Sequence, residues 1–99
     1  MRLTSKNHNG TSFHGTVIFT SVKELKRILG KPTWGTNDGR DKVNYEWVLE
    51  TDDGSVFTIY DWKEYRKLKQ DETIEWHVGG KNGRDTDQGK KEILEALAK

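Results

Sequence analysis

Ninety-nine residues make one domain, and a hydrophobic share of 31% against 33% charged residues is too polar for a large core. The formal net charge of +1 excludes the strong basic excess of a general nucleic-acid binder. The absence of cysteine excludes disulfides and thiolate metal sites and suits a reducing cytoplasm, and no apolar run approaches the ~20 residues of a membrane span.

Four Trp, three Tyr and three Phe supply bulky buried area per residue, which points to a thin two-layer fold helped by self-association. Residues 1–12, with no secretory-leader pattern at Arg2-Leu3-Thr4 and polar turn formers from Ser5 to Ser12, read as a flexible segment or weak edge strand; residues 13–99 read as the folded domain. Gly15 to Thr20 is short, β-branched and apolar, the first predicted strand. Ser21-Val22-Lys23-Glu24 is a capping box, after which Val22, Leu25, Ile28 and Leu29 keep helical spacing until Gly30 and Pro32 end the helix.

Lys31 to Lys42 is a loop containing Trp34, Gly35, Gly39 and Arg40. Val43–Glu50 and Val56–Lys63 then form a hairpin whose turn decides which rings face the core. A two-residue Asp53-Gly54 turn sets Trp47 opposite Tyr60. A three-residue Asp52-Asp53-Gly54 loop with a left-handed Gly54 pairs Trp47 with Ile59 and Leu49 with Phe57. The second register gathers Tyr45, Trp47, Leu49, Phe57 and Ile59 on one face. Asn44, Glu46, Val48, Glu50, Val56, Thr58, Tyr60 and Trp62 fall on the other. A one-residue slip would spoil that partition, so the bulged loop is predicted.

Glu64 to Glu72 is a charged connection with room for a helical turn, and Thr73 to Val78 is the last strand, with Ile74, Trp76 and Val78 inward. Gly79 to Arg84 reads as a glycine-rich loop, and Asp85-Thr86-Asp87-Gln88 as the cap of a final helix with Ile93, Leu94 and Leu97 on its apolar stripe. The expected architecture is α+β, in the order β-α-β-β-β-α, an antiparallel sheet with two helices on one face.

This register leaves Tyr60, Trp62 and His77 on the face away from the helices. Exposed rings on a sheet stack planar ligands, each base worth about 1–3 kcal/mol; the competing reading is that another subunit or the N-terminal segment covers them. Arg40, Lys42, Lys63, Lys81 and Arg84 lie in or beside glycine-rich loops that can seat an anion, although Asp38, Asp41, Asp85 and Asp87 share those loops and can simply pair with them. His77, with Glu75 or Glu46, is the best-placed general base, and Glu46, Asp61 and Glu75 are the one carboxylate group that resembles an acid–base set. No spacing fits a metal site or a nucleophile elbow, so neither a cofactor nor catalysis is expected.

The run Leu29-Gly30-Lys31-Pro32, Lys42-Val43-Asn44-Tyr45-Glu46-Trp47, Asp53-Gly54, Thr58-Ile59-Tyr60-Asp61-Trp62-Lys63 and Glu75-Trp76-His77-Val78-Gly79-Gly80 resembles a family of small uncharacterised proteins of tailed bacteriophages, over roughly residues 13–97. The departure is Glu64 to Lys69, shorter and more basic than the family pattern. The resemblance implies a phage protein acting in the cytoplasm of an infected bacterium, and it carries over no catalytic residue. Joined to the surplus aromatics, it implies a binding protein that sequesters a phosphate-bearing nucleotide immune signal, with an inhibitor of a host or defence protein as the alternative and a His77-dependent enzyme as the third. In the first case Trp34, Tyr60 and Trp62 stack on bases. Arg40, Lys42, Lys63 and Arg84 pair with phosphates, and Glu46 and His77 hydrogen-bond the base or ribose.

Overall fold

The computed structural model describes residues 1–99. Its elements are β1 (Arg2–Leu3), β2 (Ser12–Thr20), α1 (Val22–Leu29), β3 (Trp34–Gly35), β4 (Tyr45–Glu50), β5 (Val56–Asp61), β6 (Ile74–Gly80) and α2 (Gly83–Leu97). All pairings are antiparallel, in the order β1-β4-β5-β6-β2, with β3 also on the free edge of β4. The α+β architecture follows the predicted order, with two short edge strands, β1 and β3, added.

The hairpin register is the bulged one. Trp47 faces Ile59 and Leu49 faces Phe57, across a loop in which Gly54 has φ 89° and donates to the Thr51 carbonyl at 2.9 Å. That φ is open to glycine at no steric cost. One face of the sheet therefore buries Trp47, Leu49, Phe57, Ile59, Trp76 and Val78 completely, against Val22 and Leu25 of α1 and Ile93 of α2. The two buried indoles also tie down α1: Trp76 Nε1 donates to the Thr20 carbonyl just before the helix (2.9 Å), and Trp47 Nε1 to the Gly30 carbonyl just after it (3.1 Å). The Ser21 hydroxyl accepts from Glu24 N at 3.2 Å, as the capping box predicts, and Gly30 ends the helix with φ 82°.

Four features depart from expectation. Gly79 and Gly80 belong to β6, and α2 already starts at Gly83, so the glycine-rich loop shrinks to Lys81 and Asn82. The glycines are there for close approach: a Cβ on Gly79 would lie 2.7 Å from Thr58 Oγ1, and one on Gly80 would lie 3.0 Å from Thr86 Cγ2. The cap of α2 is accordingly Asn82, whose side chain accepts from Asp85 N at 2.9 Å, rather than Asp85. The first main strand begins at Ser12 instead of Gly15, with an irregular stretch between Phe13 and Val17 at Gly15, φ 86°.

Finally, the segment from Glu64 to Glu72 contains no helical turn, and its Leu68 enters the core at 3% exposure. Asn37 holds that segment by donating to the Leu68 carbonyl (3.1 Å) and accepting from Leu68 N (2.7 Å).

Candidate functional site

The sheet face away from the helices is divided in two by the N-terminal segment. β1 pairs with the end of β4, Thr4 N donates to the Val48 carbonyl at 3.1 Å, and Arg2 Nε and Lys6 Nζ lie 2.7 and 2.6 Å from the Glu50 carboxylate. Val48, Glu50, Val56 and Thr58, which alternation alone assigns to an outer face, are buried. The chain from His8 to Ser12 then crosses the sheet to join β6, where Ser12 pairs with Gly80. Under this strap opens a cleft of about 370 Å³ lined by the strap, Val43, Glu46, Thr58, Tyr60 and Trp62.

Beyond the strap the face is aromatic. Tyr60 pairs with His77 across β5 and β6, their rings edge to face at 5.5 Å. Trp62 lies 6.1 Å from Tyr60 and 6.0 Å from His77, nearly parallel to the latter at 26°. Phe13 stacks on His77 at 3.9 Å and 17°. Trp62 remains 39% exposed, Phe13 42% and Phe19, farther along β2, 65%. Above the Trp62 ring lie two ammonium groups, Lys42 Nζ at 5.8 Å and Lys63 Nζ at 5.6 Å, within the range in which a ring face attracts a cation. Neither lysine has a carboxylate partner within 4 Å.

What positions the lysines is a buried polar hub. Asp61, fully buried, accepts from the backbone N–H groups of Asn44 and Tyr45 (both 2.8 Å) and from Asn44 Nδ2 (3.0 Å). Asn44 in turn donates to the Arg66 carbonyl (3.0 Å) and accepts from Gly39 N (3.0 Å). Lys63 N donates to the Lys42 carbonyl at 2.7 Å, and Lys63 itself has φ 55°, a left-handed turn that directs the chain away from β5. The two lysine-bearing loops are thus stitched to each other before any ligand is present.

Glu46 stands opposite Tyr60 on β5 and opposite Trp34 on β3, so the three share this face. Its closest ionic neighbour is His8 Nε2 at 3.9 Å, too far for a hydrogen bond. Burial raises the Glu46 carboxyl above the ordinary glutamate value, with His8 pulling it partly back. Burial, and secondarily the Glu46 charge, raises the Tyr60 phenol. Burial lowers the His77 pKa against the opposing pull of Glu75, whose Oε1 is 3.6 Å from Nε2.

Of the sequence-predicted residues, Glu46, Tyr60, Trp62, Lys42 and Lys63 come together here, with His77 behind them and Trp34, 46% exposed, at the edge beyond Glu46. Phe13 stacks on the face of the His77 ring, which makes His77 a layer of the aromatic stack, while its Nε2 at the ring edge lies 3.6 Å from Glu75 Oε1. Arg40 is exposed in the Lys42 loop, its backbone N held by Asp38 Oδ1 at 2.9 Å. Arg84 is not brought to the cluster. It lies in the first turn of α2, at the opposite end of β5, beside the hairpin-loop Asp53, whose carboxyl is lowered chiefly by its hydrogen bonds with Thr51 and Ser55 and only lastly by Arg84. The trio Glu46, Asp61 and Glu75 is no acid–base set, because Asp61 is buried in the loop hub while the other two sit on the aromatic face.

Sequence reading missed Phe13, for which an aromatic two residues before Gly15 was the available signal; it named the N-terminal segment as one cover for the rings but gave no signal for the strap's course. The chain matches no protein-family model, no curated protein and no solved structure, so the site stands on its own geometry.

Proposed function

We propose that this is a stoichiometric, non-catalytic binding protein whose aromatic cleft takes a phosphate-bearing nucleotide. The observation that carries the reading is Trp62: a partly exposed ring in a cleft wall, next to Tyr60 and flanked by two ammonium groups that have no protein counterion. A base stacks on the rings while Lys42 and Lys63 meet its phosphates. In the phage setting that the sequence resemblance implies, the role is sequestration of a nucleotide immune signal in the cytoplasm of an infected bacterium.

One observation favours a second reading. The exposed stripe continues past the cleft to Phe13 and Phe19, farther than a single nucleotide needs, which suits a protein partner such as a host or defence protein.

Calorimetric titration with nucleoside triphosphates separates the two. Trp62→Ala is expected to weaken nucleotide binding about 5- to 150-fold, the equivalent of the 1–3 kcal/mol per stacked base, while the far-UV spectrum stays unchanged. Nucleotide affinity left intact in Trp62→Ala would sink the platform, and no nucleotide binding by the unaltered protein would favour the protein-partner reading.

A further inference from the structure

The cleft carries opposite charges at its two ends. Glu46 is level with Tyr60, whereas the lysines gather over Trp62, the next residue of β5's line on the same face, a step of about 7 Å along a strand. An anionic group is drawn to the lysine end and repelled from Glu46. A nucleotide that stacks here therefore lies with its phosphates toward Lys42 and Lys63 and an edge of its base toward Glu46.

Given that nucleotide reading, on which this inference rests, we infer that the cleft selects guanine, with the Glu46 carboxylate accepting both hydrogen bonds from its Watson–Crick edge. A carboxylate is an acceptor with two oxygens and no proton to give. Guanine alone among the bases offers two adjacent donors on that edge, N1–H and the 2-amino group, at a spacing that matches a carboxylate. Adenine and cytosine each present a ring-nitrogen lone pair beside their amino group, which a carboxylate repels. Uracil flanks its single N–H with two carbonyls. Glu46 is also free to be recruited: its side chain is 27% exposed at the cleft, and no protein donor reaches hydrogen-bond distance, His8 Nε2 standing at 3.9 Å. A partly desolvated acceptor without a partner gains the most from a ligand that supplies donors.

The test is calorimetric titration with GTP, ITP and ATP near neutral pH, on the unaltered protein and on Glu46→Gln. Expected is a GTP affinity at least about tenfold above ATP, in keeping with one well-formed bidentate base contact. ITP, which lacks the 2-amino group, should fall between them. In Glu46→Gln, GTP binding should drop about tenfold or more with ATP equal or tighter, since an amide can donate to the adenine lone pair.

Equal GTP and ATP affinities in the unaltered protein, both weakened by Trp62→Ala, would overturn the guanine assignment while leaving the nucleotide site standing. No binding of any of the three would overturn both. A GTP preference that survives Glu46→Gln would remove Glu46 from the assignment. The ITP comparison needs no variant, so it tests the guanine assignment even if Glu46→Gln fails to fold, and an ITP affinity equal to that of GTP would overturn it.

Discussion

Both faces of the sheet are rich in aromatic rings, yet they use them in different ways. On the helix-covered face Trp47 and Trp76 are fully buried and stand edge to face at 5.8 Å. Each indole N–H is spent on a backbone carbonyl at one end of α1. On the other face Trp62 makes no hydrogen bond, stays 39% exposed and has two ammonium groups above it. Satisfied polar atoms mark the structural tryptophans. Exposure beside uncompensated charge sets Trp62 apart as the ring on which the proposed ligand would stack.

The sharpest way to break this comparison is to truncate one ring from each face. Trp76→Ala should cost about 3–5 kcal/mol, as buried Trp or Phe truncations do. In a domain of this size that lowers the melting temperature by roughly 12–40 °C, and in a marginally stable protein it can prevent folding altogether. Trp62→Ala should move the melting temperature by less than about 8 °C, the equivalent of 1 kcal/mol, and act on binding instead. Similar melting losses in the two variants would erase the distinction between the faces.

A second prediction tests whether the lysine loops depend on the core. Asp61→Ala orphans three donors, each about 1–3 kcal/mol when buried without a partner, so a loss of about 3 kcal/mol or more is expected. Asp61→Asn keeps one oxygen for the two backbone donors and sets its amide against that of Asn44, so it should cost less. Both variants should weaken nucleotide binding at temperatures where they are still folded, because the loops carrying Lys42 and Lys63 lose their common anchor. Chemical denaturation for stability and calorimetry for affinity would check the pair. Full affinity in a destabilised Asp61→Asn would show that the lysines need no such anchor.

The same contrast explains what could be read from the sequence. Alternation in Tyr45–Leu49 and Phe57–Ile59, with a glycine placed for a left-handed turn, determines the register, and the register sorts the rings by face. Those are local signals with a period of two. The strap is the opposite case. Ser5 to Ser12 has no apolar rhythm, and its course is set by remote contacts, Lys6 with Glu50 and Ser12 with Gly80, which no local pattern announces. Leu68 was hidden between two lysines, and its burial depends on the side chain of the distant Asn37. Gly79 and Gly80 read as a loop because glycine usually marks one; their reason for being is the proximity of Thr58 and Thr86. Glu46, Tyr60, Trp62, Lys42 and Lys63 lie near one another because they inherit the hairpin register or flank its ends. Arg84 follows the end of β6 that pairs with the start of β5, so the antiparallel register puts it at the far end of the sheet from Trp62.

The smallest expected effect comes from one carboxyl and carries two opposite signs. Burial raises the Glu46 pKa above the ordinary 4.5, so the folded protein holds this proton more tightly than the unfolded chain does. Its contribution to stability is therefore fully present below pH 4.5 and is lost as pH rises through the higher folded value. The proposed guanine recognition would run the other way, since only the ionised carboxylate accepts both bonds. The groups facing Glu46 are His8 on the strap, Tyr60 on β5 and Trp34 on β3. Other carboxyls, among them Glu50, Asp52 and Glu72, have lowered pKa values and lose stability as pH falls, so the Glu46 contribution must be read as the difference from Glu46→Gln. That variant should be more stable than the unaltered protein at neutral pH, with the gap closing toward pH 4.5. Over the same range the GTP-to-ATP preference of the unaltered protein should decline toward that of the variant. Melting and titration series across this range check both slopes, and slopes of the same sign would mean that the raised carboxyl and the base-reading group are different residues.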